Sequence, residues 1–305
     1  MTVHIVIVTY NGMSWLPKCL DSIPDGMPTI VVDNASTDQT CSYIQKEHPA
    51  VHVLAQKENL GFGRANNLGI QKALDEQTDA VFLLNQDAYL QKNSISEIIK
   101  THQAHPEYGV LSPVHFNGSH TLFDRKFANY MRYDRNKHFV TDAYLGQLKP
   151  IYEVPFVNAA AWFIPRSTIE KIGGFDPIFS HYGEDDNYLQ RVQYHGLKVG
   201  VVAHSTICHD REDRPDTKPD AYTDSYYDHL ARKWKIWYAN INDDKAIEKM
   251  DTLQRKRKKQ SVKGGMKGDL KRFLKIKKEV SLLKKTREEI ERSRKINKTI
   301  GKHYL

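Results

Sequence analysis

Short apolar runs and stretches of helical spacing alternate along the first half of the chain. Residues 4–10 (HIVIVTY), 29–33 (TIVVD), 51–55 and 81–84 read as strands rich in β-branched side chains, which suit a pleated surface. Between them, residues 14–23 and 65–74 carry leucine and isoleucine at the spacing of one helix face. The run at 81–84 does not alternate, as expected of a strand covered on both sides. This alternation of strand and helix predicts βαβ units and a mostly parallel, Rossmann-like sheet flanked by helices. Further on, the pattern predicts a surface helix at 94–105, a strand at 109–113, an apolar stretch at 159–164 and a helix at 166–172 stopped by Gly173-Gly174. A helix at 187–194 and a last strand at 198–203 follow. Residues 114–150 are polar, aromatic and without period, the composition of a segment that covers an active site or contacts a second substrate.

Two strands end in acids. Residues 29–33 close on Asp33, and residues 80–84 run into Asn85-Gln86-Asp87. In open α/β sheets the ligand crevice lies at the carboxyl ends of the strands, so both acids fall where a ligand binds. Asp87 there is a hard-oxygen ligand for Mg²⁺ or Mn²⁺, completed by substrate phosphates, or simply part of a polar turn. Asp33 accepts hydrogen bonds from a base or ribose, or caps the next helix. Glu184-Asp185-Asp186 open the helix at 187–194; the helix dipole favours acids there, but three in a row exceed what capping requires. Their mutual repulsion favours a raised pKa, as a general base needs. His209, expected in a loop just past the last strand, is a candidate to complete a metal site with Asp87. Trp162 reads as core, with a pocket lining as the alternative.

Composition narrows the class. A chain of 305 residues suits one large α/β domain with extensions, or two domains. Cys19, Cys41 and Cys208 form no CxxC pair, so neither a disulfide framework nor a zinc ribbon is expected, in keeping with a reducing compartment. No signal peptide and no run of about 20 apolar residues is read, so a soluble, cytoplasmic protein is expected. The net charge of +8 divides unevenly: residues 251–305 carry +14, and the first 250 therefore −6. In that tail Leu270, Phe273, Leu274, Ile276, Val280, Leu283 and Ile290 fall near helical spacing amid lysine and arginine. This fits a basic amphipathic helix on the inner face of a membrane, and equally a partner-binding or self-associating helix. The acidic body and the lack of a stacking-aromatic motif argue against nucleic acid. Residues 219–244, with Tyr222, Tyr226, Tyr227, Trp234, Trp237 and Tyr238, read as a helix packing back on the body.

Gly61-x-Gly63 is not a dinucleotide fingerprint, because Asn66 replaces the third glycine and the pair follows the third strand rather than the first. A nucleotidyltransferase is disfavoured because Asn11-Gly12-Met13-Ser14-Trp15 is no phosphate-gripping basic loop. A catalytically silent nucleotide-binding scaffold is disfavoured by the intact acids.

Five segments, in order, resemble the family 2 inverting glycosyltransferases of the GT-A fold. They are Thr9-Tyr10-Asn11, residues 32–38 (VDNASTD), residues 59–67 (NLGFGRANN), residues 84–88 (LNQDA), and Gly173-Gly174-Phe175-Asp176 followed by Tyr182-Gly183-Glu184-Asp185. The Asn-Gln-Asp-Ala form is most similar to rhamnosyltransferase-type bacterial members that build cell-surface polysaccharide. The resemblance covers about residues 3–210. It implies a catalytic domain at 1–215, with a nucleotide-sugar half to about 113 and an acceptor half at 114–215. The aromatic segment at 216–250 and the basic helical extension at 251–305 follow it. It further implies that Thr9, Tyr10, Asn11 and Asp33 hold the nucleoside of a dTDP- or UDP-sugar, with Gly61 and Arg64 near the ribose or diphosphate and Asn85 and Gln86 beside them. Asp87 stands at the last acid of the metal motif, whose first acid is here Asn85; His209 assists the Mg²⁺ or Mn²⁺. Asp185 stands at the base, with Glu184, Asp186 and Trp162 as its neighbours toward a glycan or lipid-linked acceptor; Asp186 competes for the role.

Overall fold

The computed structural model describes residues 1–180, 182–211, 219–221, 223–266 and 269–305; Tyr222 of the aromatic segment lies outside the described residues. The N-terminal half follows the predicted alternation: β1 (Val3–Thr9), α1 (Leu16–Asp21), β2 (Thr29–Asp33), α2 (Thr40–Glu47), β3 (His52–Ala55), α3 (Phe62–Asp75) and β4 (Ala80–Asn85). These strands lie parallel in the order β3-β2-β1-β4. The chain continues through β5 (Ala88–Leu90), α4 (Ser94–Ala104), β6 (Tyr108–Asn117), α5 (Arg125–Tyr130), α6 (Phe139–Tyr144) and β7 (Ile151–Glu153). It then forms β8 (Ala161–Pro165), α7 (Arg166–Ile172), α8 (Glu184–Tyr194) and β9 (Lys198–His209). The sheet extends as β4-β8-β6-β9-β5, with β7 also on β9. β8 runs antiparallel between β4 and β6, β6 and β9 are parallel, and β5 and β7 lie antiparallel to β9.

Unbroken apolar strands place side chains on both faces, and both faces are covered. Val6, Leu83 and Trp162 belong to one core; Ile5, Phe82 and Phe163, one residue along each strand, belong to the other. Trp162 is fully buried against Phe175 and Tyr188, in the core.

Two strands outrun their apolar signal. β6 continues to Asn117, and β9 continues through His204-Ser205-Thr206 to His209, so His209 is the last residue of a strand rather than part of a loop. A register shift between Pro113 and Val114 lets the two stay paired, and the buried Ser205 hydroxyl is satisfied by the Ser94 carbonyl at 2.9 Å.

The last third forms α9 (Asp224–Tyr238), α10 (Ala246–Met266) and α11 (Leu270–Asn297). Of the apolar tail residues, Ile276, Leu283 and Ile290 are buried, the latter two in a cluster with Trp234, Tyr238 and Met250. Leu270 and Leu274 stay exposed. The basic extension is therefore two helices whose apolar face is partly spent inside the protein. No helix among the described residues is long and apolar enough to cross a membrane.

Candidate active site

Strand register gathers the first group. Thr9 pairs with Asp33, and Val8 with Asn85, so the carboxyl ends of β2, β1 and β4 open on one crevice. Gln86 straps this edge: its side-chain oxygen accepts the Thr9 hydroxyl at 2.7 Å and the Tyr10 N–H at 3.0 Å. Asn11, held in the left-handed region at φ 48°, donates its N–H to the Ser36 hydroxyl and accepts from the Thr37 N–H. Asp33 accepts the Ser36 N–H with one oxygen, while its other oxygen is buried with no N–H or O–H donor among the described residues and only the weak Cys41 thiol near the carboxylate. A buried acceptor left in this way has a desolvation cost that a donor from a bound base or ribose would relieve. Tyr10 is half exposed beside it, ready to cover a ring.

The loop before α3 is held by Asn34 and Asn59, whose amides bond to each other and to the N–H groups of Leu60 and Gly61. Gly61 has φ 80°, and a Cβ there would strike the Ser180 carbonyl oxygen. Gly63, two residues on, lies against Phe175 and Glu184. These glycines let the loop meet the segment that carries the three acids. Arg64 projects into solvent from the first turn of α3.

A second group lies past the ends of β4 and β9. The Asp210 N–H donates to the Asp87 carbonyl, joining the two strand ends. His209 Nε2 is 3.5 Å from Asp87 Oδ1, and its Nδ1 is 3.7 Å from Asp124 Oδ2. Asp124 caps α5 by accepting the Phe127 N–H and is gripped by both arms of Arg211 at 2.6 and 2.8 Å. Burial opposes the charge on Asp87, but the hydrogen bond and charge of His209, with Arg211 behind, outweigh it and hold the carboxyl below its usual range. One carboxylate oxygen and one imidazole nitrogen converging, with a carboxylate behind the imidazole, suit a divalent ion that draws its other ligands from phosphate and water. No group of three or more His, Cys, Asp or Glu able to hold a metal alone occurs among the described residues.

The third group is the acid triplet. Gly183, at φ 96°, turns the chain so that Glu184, Asp185 and Asp186 form the first turn of α8. Burial, then the charges of its two neighbours, pushes the Glu184 carboxyl up to about 7. Burial and Asp185 likewise push Asp186 up to about 7. Burial raises Asp185 too, opposed by backbone donors and by Lys126. The Tyr130 phenol, raised by burial, feels Asp185 and Asp186 on one side and Asp124 and Arg211 on the other. α5 links the two groups: its N-cap Asp124 lies 3.7 Å from His209, and its Lys126 and Tyr130 interact with the charge of Asp185.

Of the expected residues, Thr9, Tyr10, Asn11, Asp33, Asn85 and Gln86 meet at the strand ends. Asp87 and His209 pair, Gly61 abuts the acid segment, and Glu184, Asp185 and Asp186 share one turn. Asp124 and Arg211 were not foreseen. Asp124 lies in the stretch without period, and its only sequence signal is its place three residues before Phe127, an N-cap spacing.

Residues 4–173 match the family model described as Glycosyl transferase family 2. The chain is 24% identical over 204 residues to a low-salt glycan biosynthesis hexosyltransferase of Haloferax volcanii, covering 64% of this chain and 63% of that protein. It is also 24% identical over 265 residues to an N-acetylglucosaminyl-diphospho-decaprenol L-rhamnosyltransferase of Mycobacterium tuberculosis, covering 78% of this chain and 83% of that one. Among solved structures, S. aureus TarS 1–349 in complex with UDP-GlcNAc superposes with a TM-score of 0.58 at 15% identity, over 97% of this chain and 90% of that one. The mannosyltransferase PcManGT from Pyrobaculum calidifontis, with GDP-Man and Mn²⁺, superposes with a TM-score of 0.55 at 21% identity, over 81% and 64%. The fold is that of the GT-A glycosyltransferases, and with more than half of its length matched, the chain belongs to glycosyl transferase family 2.

Proposed function

We propose that the protein is an inverting glycosyltransferase, moving a sugar from a nucleoside diphosphate to a hydroxyl of a glycan or lipid-linked acceptor. The observation that carries this reading is the close approach of the Gly61–Gly63 loop to the segment bearing the raised carboxyls: a Cβ on Gly61 would strike the Ser180 carbonyl oxygen, and one on Gly63 would lie 3.6 Å from the Cβ of Glu184. Residues 1–215 form the catalytic unit. Thr9, Tyr10, Asn11 and Asp33 take the nucleoside, and Gly61 and Arg64 the ribose and diphosphate. A divalent metal, Mg²⁺ or Mn²⁺, held by Asp87 and His209 would neutralise charge on the departing diphosphate.

Asp185 is the base. It takes the proton of the acceptor hydroxyl as that oxygen bonds to the anomeric carbon, while the carbon–oxygen bond to the diphosphate breaks and its electron pair leaves with the nucleotide. One displacement inverts the centre and leaves no covalent intermediate. Asp186 shares the turn and donates its N–H to an Asp185 oxygen, while burial keeps Asp185 basic. The mycobacterial relative, by its name, acts on a polyprenyl-diphosphate sugar. An acceptor of that class accounts for a basic extension that rests on a membrane surface.

A thermal-shift panel of UDP, dTDP, GDP and their sugars, with and without Mn²⁺ or Mg²⁺, tests the reading. One nucleotide family raises Tm in a metal-dependent way, and Asp87→Ala loses the metal-dependent part. Asp185→Asn keeps the shift but abolishes transfer, and the product carries the inverted anomeric proton signal in NMR. A shift without turnover by the native chain would leave a binding protein rather than an enzyme.

A further inference from the structure

Phe175-Asp176-Pro177-Ile178 leads from the glycine pair to the acid helix, and Asp176 is almost fully buried. Its Oδ1 accepts the Ile178 N–H at 3.0 Å. Its Oδ2 receives the hydroxyl of Ser293 at 2.6 Å and the amide of Asn297 at 2.8 Å from the far end of the sequence, and the single proton of the Tyr304 phenol is shared between that oxygen at 3.2 Å and Asn297 Oδ1 at 2.9 Å. The same stretch makes main-chain bonds here, with the Gly174 N–H on the His303 carbonyl and the Gly301 N–H on the Lys171 carbonyl. A Cβ on Gly173 would strike the His303 backbone, so the glycine pair doubles as the seat for residues 301–304.

The acid helix is tied to the same point. Arg191, buried in α8, donates to the Ile172 and Gly174 carbonyls at 2.7 and 2.5 Å and lies 5.6 Å from the Tyr304 ring. At the end of α8, His195 Nε2 meets the Asn297 carbonyl at 2.9 Å. Tyr304 thus touches the turn before the acids through its hydroxyl and the helix carrying them through its ring. Among the described residues, no hydrogen bond from 293–305 reaches β1, β2 or β4.

We infer that Asp176 and Tyr304 are positioning residues, through which residues 293–304 hold the Glu184–Asp186 turn in catalytic register without contributing to donor binding. The inference rests on the reading of that turn as the source of the base. A buried carboxylate with three donors and a share in the Tyr304 proton defines one position for the turn, because any shift leaves donors or the charge unpaired.

The test compares Tyr304→Ala, Tyr304→Phe and Asp185→Asn with the native full chain. Turnover of UDP-N-acetylglucosamine, GDP-mannose and dTDP-rhamnose is measured in turn, together with amide hydrogen exchange. Tyr304→Ala lowers kcat tenfold or more with the donor KM within threefold, and speeds exchange over residues 184–194 but not over 3–9 or 29–33. Tyr304→Phe, which keeps the ring and loses only the hydroxyl, stays within about threefold of native kcat. A folded Tyr304→Ala with native kcat, with native exchange over 184–194, or with its loss confined to KM overturns the inference. Should Tyr304→Ala not fold, Tyr304→Leu, which also removes the ring and its hydroxyl but fills more of the space, carries the same readouts. Full activity in Asp185→Asn would refute the functional reading instead, and the exchange data would still judge the positioning role.

Discussion

At the scale of single residues, the three acids of α8 dominate the chemistry because each is partly withdrawn from water and faces like charges. A carboxyl raised from 4.5 to about 7, as Glu184 is, binds a proton more tightly folded than unfolded. Its contribution to stability is complete below pH 4.5 and is lost as pH rises through about 7, a difference of up to about 3 kcal/mol. Glu184→Gln should therefore raise Tm at pH 8 and leave it unchanged at pH 4, as calorimetry at the two values would show. In activity the same cluster titrates as a unit. The rate should climb with pH as the raised cluster loses its protons, and Glu184→Gln should move that limb downward by removing one negative neighbour; an unmoved limb would exclude its coupling to the base. Asp33, Asp87 and Asp185 were legible because each breaks an apolar or helical pattern at an element's end. Their partners were not, since Arg211 lies 87 positions from Asp124 and Ser293 117 from Asp176, and no local period encodes a pair so separated.

Among the elements, the loop into α3 shows how backbone freedom sets geometry. Gly61 combines φ 80° and ψ 165°, a region open essentially to glycine alone, with contact on the Ser180 carbonyl. Gly61→Ala should cost about 1–3 kcal/mol in denaturant unfolding and shrink the thermal shift caused by nucleotide. Gly26→Ala is the control: φ is 76° but nothing lies within 4 Å, so it should lose only the backbone part and keep the nucleotide response. Strands and helices of the nucleotide half were readable because each carries its own period. β9 was not, beyond residue 203, because His204-Ser205-Thr206 interrupts the apolar run; residues 203–205 bulge out of the pairing, Ser94 satisfies Ser205, and Thr206 rejoins β6 at Val114. In the stretch at 114–150, α5 and α6 are six residues each, too short for a period to declare itself.

On the scale of the whole molecule, charge is concentrated rather than spread. Residues 255–278 hold 12 Lys+Arg and one acid, Asp269, and the exposed Val262, Leu270 and Leu274 stand among them. Basic residues near an anionic bilayer contribute about 1 kcal/mol each, and that attraction fades with salt. The full chain should sediment with phosphatidylglycerol vesicles at low salt and not with phosphatidylcholine. The triple change Lys256→Glu, Lys259→Glu, Lys263→Glu should release it while the nucleotide-induced shift persists; equal sedimentation of both forms would exclude the membrane role. The placing of β8 bears on how the chain is made. β4, the innermost parallel strand, keeps an open edge until residues 161–165 emerge from the ribosome, and Asp176 waits for residues 293–304. Nascent chains stalled before residue 293 should thus hold a formed nucleotide crevice beside an unlocked acid turn, so that donor recognition matures before the capacity to transfer.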